Sequence, residues 1–249
     1  MKIILSILSL LTFSFTINAQ KDIIPTDNGN VVMTPILHAT TVLEWDGKTI
    51  FMDPYGGAEG LASFENADII CITHAHGDHF NPETLKGLDL SATTVILPQS
   101  VADEIGDIKF KEVKVLANDE DIDIIGLNVK AFPMYNLPDD ETSRHAKGWG
   151  NAYILTIGGK TFYFSGDTED IPEMRNLKGI DYAFICMNLP YTMDVDKAAD
   201  AVVEFGPKVV YPFHFRGSEG FSDVEKFKSL VNEGNENVEV RLRNWYPEN

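Results

Sequence analysis

Two cysteines in 249 residues are too few for a disulfide framework. Cys71 and Cys186 each lie in an apolar, strand-like run, where a thiol reads first as a small buried hydrophobe. A bridge between them would need an oxidising compartment and a proximity that sequence does not give. Positive charge is also scarce: 20 Lys and Arg stand against 38 Asp and Glu, a net charge of −18. With no Lys/Arg cluster, the chain has no nucleic-acid footprint, because so acidic a surface repels phosphate backbones. The acidic stretches Asn118–Asp121 and Asp139–Glu141 read as solvated loops. No internal repeat and no low-complexity segment is visible, and long apolar runs are missing after Ile17.

The one long apolar run is at the start. Met1-Lys2 supplies a positive charge, Ile3–Ile17 is almost unbroken, and Asn18-Ala19 ends it with small residues. This pattern matches a secretory signal peptide, and its core is short for a membrane span. No Cys follows Ala19, so no lipid attachment is expected. The expectation is a leader at residues 1–19 and a periplasmic or secreted protein without a stable membrane span after cleavage. Residues 20–249 suit one domain with ample room for a core.

Val31–Leu37 reads as a strand whose Pro35 suggests an edge. Thr41–Trp45, the turn Asp46-Gly47 and Lys48–Met52 read as a hairpin, as do Asn151–Ile157, Gly158-Gly159 and Lys160–Ser165. Further strands are expected at 68–72, 93–97, 111–116, 123–127, 129–134, 182–187, 209–211 and 238–241. Helices are expected after the caps Asn81, Asp194 and Ser222, and over 100–105 and 169–176. Tyr135–Gly150 reads as a long polar loop. The sum is a layered α/β (α+β) domain.

The chemistry concentrates in Thr73-His74-Ala75-His76-Gly77-Asp78-His79, directly after the apolar run 67–72. Four metal-ligand side chains fall within six residues at a strand's end. Two His at i and i+2 on extended chain point to one side, and Asp78 and His79 can curl back past Gly77. Imidazole with carboxylate suits zinc and its first-row neighbours. Farther on lie His145 in the polar loop, Asp167 in Ser165-Gly166-Asp167-Thr168, and His214 in Phe213-His214-Phe215; the last two follow apolar runs.

This ordered series, H-x-H-x-D-H, then His, Asp and His, resembles the metallo-β-lactamase superfamily from about Val31 to His214. His38-Ala39-Thr40, Ile50–Pro54 and Ser165–Thr168 are similar to its lactonase-like branch, which includes L-ascorbate-6-phosphate lactonase; Ser165–Thr168 is also similar to the N-acyl-phosphatidylethanolamine phospholipase D branch. The resemblance implies a four-layer αββα sandwich with metals at one edge between the sheets. It implies two divalent ions: His74, His76 and His145 on the first, Asp78, His79 and His214 on the second, Asp167 bridging. Zinc is the first expectation, and manganese or iron suits the same donors. A metal-bridging hydroxide would attack a lactone or other ester, with Asp78 orienting it and passing a proton onward. A phosphodiester is the alternative small-molecule substrate, and a non-enzymatic metal-binding module the alternative class. Tyr191, in the Pro-containing loop 188–193, is a candidate oxyanion donor or a packing residue. His38 and Asp53 are candidate supports for ligands or ordinary buried groups, and Tyr135, Asn136 and Trp149 are candidate pocket walls.

Overall fold

The computed structural model describes residues 20–140 and 142–247; the expected leader at 1–19 lies outside them. Sheet I contains β1 (Asp22–Pro25), β2 (Asn30–Leu37), β3 (Thr40–Trp45), β4 (Lys48–Met52), β5 (Ile69–Cys71), β6 (Thr94–Leu97) and β7 (Glu112–Val115), side by side in chain order. Helices α1 (Pro82–Lys86) and α2 (Gln99–Glu104) join its last three strands. Sheet II follows as β8 (Asp121–Ile124), β9 (Leu127–Met134), β10 (Gly150–Ile157), β11 (Lys160–Phe164), β12 (Tyr182–Cys186) and β13 (Val209–Phe213). Helices α3 (Pro172–Arg175) and α4 (Val195–Phe205) connect its later strands. A short ribbon, β14 (Arg216–Gly217) with β15 (Gly220–Phe221), and helix α5 (Val224–Gly234) lead to β16 (Glu239–Val240), which closes sheet II beside β13. Among the described residues, no helix is long and apolar enough to cross a membrane.

The two sheets repeat one plan. In each, three antiparallel pairings are followed by three parallel ones. The repeat is topological and left no repeat in the sequence, because a buried strand demands only apolar residues at the right period.

The core shows why the layers form. Leu43, Ile50, Met52, Ile69, Cys71 and Ile96 of sheet I face the central core with Val129, Tyr153, Leu155 and Phe184 of sheet II. Their alternates Val42, Phe51, Ile70, Val95 and Leu97 face outward, where Leu85 of α1 and Val101 of α2 cover them. On the far side Tyr163 of β11 meets Phe205 of α4 edge-on at 6.3 Å. The result is the expected helix–sheet–sheet–helix sandwich. Cys71 and Cys186 are both buried free thiols, as their apolar runs suggest.

Several boundaries differ from the sequence expectation. Residues 123–127 are not one strand: Ile125 and Gly126 have φ of 43° and 89° and form the turn between β8 and β9. Pro35 lies inside the sheet, yet β1 pairs only with Asn30–Met33, so at Pro35 strand β2 has no neighbour on that side. Strand β1 itself was not foreseen. Asp223, not Ser222, caps α5, accepting from the Lys226 N–H at 2.9 Å; the Ser222 hydroxyl donates to the Met187 carbonyl instead. Helix α3 is a single turn, shorter than the expected 169–176.

The C-terminal segment ties the sheets together. Trp245 is fully buried, its indole N–H reaches Thr41 Oγ1 on β3 at 3.3 Å, and its ring packs edge-on to Phe184, Tyr211 and Phe213 of sheet II. Truncating so large a buried ring is expected to cost about 3–5 kcal/mol. Urea unfolding of Trp245→Ala checks this, and a loss near zero would remove its role as a staple.

Candidate metal centre

Strand β5 delivers the histidine loop to one edge of the sandwich. After Ile72 the chain stays extended through His74, then turns: the N–H groups of His79 and Phe80 both donate to the His76 carbonyl, at 2.9 and 2.8 Å. Asn81 then caps α1 through the Thr84 N–H at 2.8 Å. Sheet II is fastened to this loop. The Tyr153 hydroxyl donates to the Ile72 carbonyl at 2.9 Å, and the Asn151 N–H to the Thr73 carbonyl at 2.8 Å. A Cβ on Gly150 would stand 2.9 Å from the His74 Cβ, so only glycine lets β10 begin this close.

The seven ligand candidates are brought together. His74 Nε2 and His145 Nε2 each lie 3.1 Å from His76 Nδ1. Opposite them, His79 Nε2 lies 2.9 Å from His214 Nε2, and Asp78 Oδ2 is 3.5 Å from His214 Nε2. Asp167 stands between the two groups. Its Oδ1 is 3.3 Å from His79 Nε2 and 3.2 Å from His214 Nε2, while its Oδ2 is 3.6 Å from His145 Nε2. Three strands turn sharply to achieve this: His38, Asp53 and His214, each directly after a strand, have φ of 60°, 43° and 45°. Non-glycine residues rarely occupy this left-handed region, and each costs about 1–2 kcal/mol there.

The outer nitrogens of three candidate ligand histidines are spoken for. Asp53 Oδ2 accepts from His79 Nδ1 at 2.8 Å, and the same carboxylate takes the Thr73 N–H at 2.7 Å and hydroxyl at 2.8 Å. Thr73 Oγ1 in turn lies 3.0 Å from His74 Nδ1. Asn136 Oδ1 accepts from both the backbone N–H and Nδ1 of His145, at 2.9 and 2.7 Å. These contacts fix each ring and turn Nε2 inward. His38 has neither nitrogen to spare: Nε2 meets Asp78 Oδ2 at 2.9 Å and Nδ1 meets the Tyr246 hydroxyl at 2.7 Å. It braces Asp78 and packs on His214, ring centroids 3.7 Å apart. Asp53 and His38 thus both act as supports.

Electrostatics match an arrangement that receives cations. Burial drops the pKa of His145 to about 4 and that of His74 well below its usual value, leaving their lone pairs available at neutral pH. Burial opposes charge on His79 too, but Asp167 and Asp53 outweigh it and raise its pKa. Burial would also protonate Asp167; the charges of His214 and His79 overcome it and hold the carboxyl ionised. Asp167 Oδ1 is nonetheless a buried oxygen with no hydrogen-bond partner. A buried, unsatisfied carboxylate oxygen ringed by inward imidazole nitrogens is the donor set a divalent cation requires. The groupings of donor atoms lying within 4.8 Å of one another include His74, His76 and His145, and also His74, His79 and Asp167.

The walls are aromatic. Trp149 lies over His76, centroids 4.9 Å apart, and Tyr55 lies 6.0 Å from His38. Tyr191, on the loop after β12, accepts from Asn136 Nδ2 through its carbonyl at 3.1 Å, and the Arg144 guanidinium covers its ring at 4.5 Å. Tyr135 turns away, its hydroxyl donating to Glu173 at 2.8 Å. Thr73, Tyr246 and the holding role of Asn136 escaped sequence reasoning. Only the position of Thr73 in the histidine loop carried a signal.

A cation entering this site must displace the proton that Asp53 and Asp167 stabilise on His79. Binding is therefore expected to release protons near pH 7, with affinity rising as pH rises. Calorimetric titration with zinc in buffers of different ionisation enthalpy measures the release; none at neutral pH would remove His79 from the binding set.

Comparison with known proteins agrees with this geometry. The model of the beta-lactamase superfamily domain matches residues 32–214. A UPF0173 metal-dependent hydrolase of Pyrococcus abyssi is 31% identical over 205 residues, covering 78% of this chain and 89% of that protein. A crystal structure from Parabacteroides distasonis, described as a metal-dependent hydrolase, is 36% identical, covers 91% of this chain and 99% of its own, and superposes with a TM-score of 0.80. Igni18, a metallo hydrolase of Ignicoccus hospitalis, shares the fold at 23% identity, with a TM-score of 0.71 over 85% of this chain and 94% of that one. The matched segment spans all seven converging side chains, and the chain belongs to the β-lactamase superfamily of metal-dependent hydrolases.

Proposed function

We propose that the site holds two divalent cations, zinc first, and opens a lactone or another small ester. The observation that carries the two-cation reading is Asp167: one oxygen faces His79 and His214, the other faces His145 on the opposite side. His74, His76 and His145 then serve one ion, and Asp78, His79 and His214 the other. Such a pair, when bound, supplies an activated water and stabilises charge developing on the substrate.

The chain's own residues do the rest. Asp78 faces the opening, its side chain 38% exposed. Burial would raise its pKa, but hydrogen bonds from His214 and His38 hold it well below the carboxylate range. It therefore suits accepting and relaying the proton of an attacking water better than storing one of its own. His38, held by Tyr246, keeps that carboxylate in place. The carbonyl of Tyr191 accepts from the Asn136 amide that holds His145, and its hydroxyl, which donates to no described residue, is the candidate donor to an oxyanion. The lactone or ester preference rests on the His38–Thr40, Ile50–Pro54 and Ser165–Thr168 segments. The periplasmic or secreted location rests on the pattern of residues 1–19.

Mature protein loaded with zinc or manganese is expected to hydrolyse lactones in a panel that pairs them with bis-aryl phosphodiesters. Asp167→Ala should abolish the rate, and Tyr191→Phe should lower kcat by about 10²-fold, as loss of an oxyanion donor does. Turnover of the phosphodiesters alone would reassign the substrate class, and no turnover of either would turn the reading toward a metal-binding module. In His145→Ala, metal analysis should show one equivalent lost; full occupancy by two ions would sink its place in the ligand set.

A further inference from the structure

We propose that Arg144 and Arg216 form a cationic rim that binds an anionic group, a carboxylate or a phosphate, on the substrate of this site; the proposal rests on the hydrolase reading and adds the substrate's charge to it.

The chain has five arginines. Three are held by carboxylates: Arg175 by Asp170, Arg241 by Glu239 and Arg243 by Asp22, each at 2.7 Å. Among the described residues, Arg144 and Arg216 have no carboxylate within ion-pair range, and none of their guanidinium N–H groups donates to the protein. In a chain of net charge −18, two exposed arginines with no acidic partner among the described residues are conspicuous. Both lie close in sequence to a candidate ligand. Arg144 directly precedes His145, and Arg216 stands two residues after His214. The nearby Lys147 is engaged by Glu173 at 2.6 Å.

Each guanidinium lies against a tyrosine that is wired to the centre. Arg144 covers Tyr191 at 4.5 Å, and the Tyr191 carbonyl holds the Asn136 amide that orients His145. Arg216 covers Tyr246 at 5.1 Å, and the Tyr246 hydroxyl meets His38 Nδ1 while accepting the Arg216 backbone N–H at 3.2 Å. The two elements touch, for the Ser218 N–H donates to the Leu189 carbonyl at 3.1 Å, joining the ribbon β14–β15 to the Tyr191 loop. Stacking occupies the face of a guanidinium and leaves its edge of N–H donors open. That edge matches the paired oxygens of a carboxylate or phosphate. The rim also supplies local positive charge where the overall charge of the chain repels an anion.

The test is calorimetric titration of zinc-loaded protein with glutarate and with propyl phosphate, using wild type, R144Q, R216Q, the double variant and R144K. Metal content is measured on each sample. The double variant is expected to bind at least one of the anions about tenfold more weakly at unchanged metal content, equivalent to roughly 1.4 kcal/mol. R144K should recover part of the loss, since it restores charge without the forked edge. The anion that responds identifies the group. Affinities for both anions within twofold of wild type would overturn the proposal. The two readings fail separately. Arginine-dependent anion binding by a protein that turns over no ester, lactone or phosphodiester would keep the rim and remove the hydrolase. Turnover with anion affinity indifferent to both arginines would do the reverse.

Discussion

Asp167 is a nearly buried carboxylate with imidazoles on both sides, and the candidate site is organised around it. Its charge is expensive to bury, and only the neighbouring imidazoles hold it ionised. One of its oxygens still has no hydrogen-bond partner. Imidazole nitrogens about three ångströms apart cannot all carry protons beside one carboxylate. The arrangement becomes satisfied when a cation takes their place, which links metal binding to the stability of this edge.

The architecture explains how one carboxylate comes to face both histidine groups. β4 and β11 occupy the same place in the repeated plan of the two sheets, and each is followed by an aspartate, Asp53 and Asp167. Their jobs have diverged. Asp53 is turned to the Thr73 backbone and the outer nitrogen of His79, and serves as a brace. Asp167 projects between the sheets. Gly166 makes this possible, since at φ 57° a Cβ would stand 2.8 Å from the Met134 sulfur. The strained backbone at His38, Asp53 and His214 lies along the same edge, where strand ends must bend inward at once; packing such as that of Trp245 and the bonds from Tyr153 and Asn151 keep them there.

Much of this was legible in the chain. The two hairpins, the strand before the histidine loop and the Asn81 and Asp194 caps follow from local periodicity and turn chemistry, which act within a few residues. Ile125-Gly126 was misread because a β-branched residue argues for strand, whereas the tight hairpin overrides that preference. Ser222 lost the cap to its neighbour because its hydroxyl satisfies the Met187 carbonyl across the fold. His145, a ligand candidate in a loop that reads as polar, is fully buried, because Asn136 folds that loop back on itself.

The sequence alone determined the donor inventory, its order along the chain and the alternating apolar strands, since these are properties of residues and near neighbours. Only the tertiary structure decided which nitrogen of each histidine points inward, that His38 braces Asp78, and that Tyr246 reaches back 208 positions to hold it. It also decided that Arg144 covers the ring of Tyr191 and Arg216 that of Tyr246. Such facts depend on where strand ends meet in space, and no periodicity encodes a distance between residues that folding alone makes neighbours.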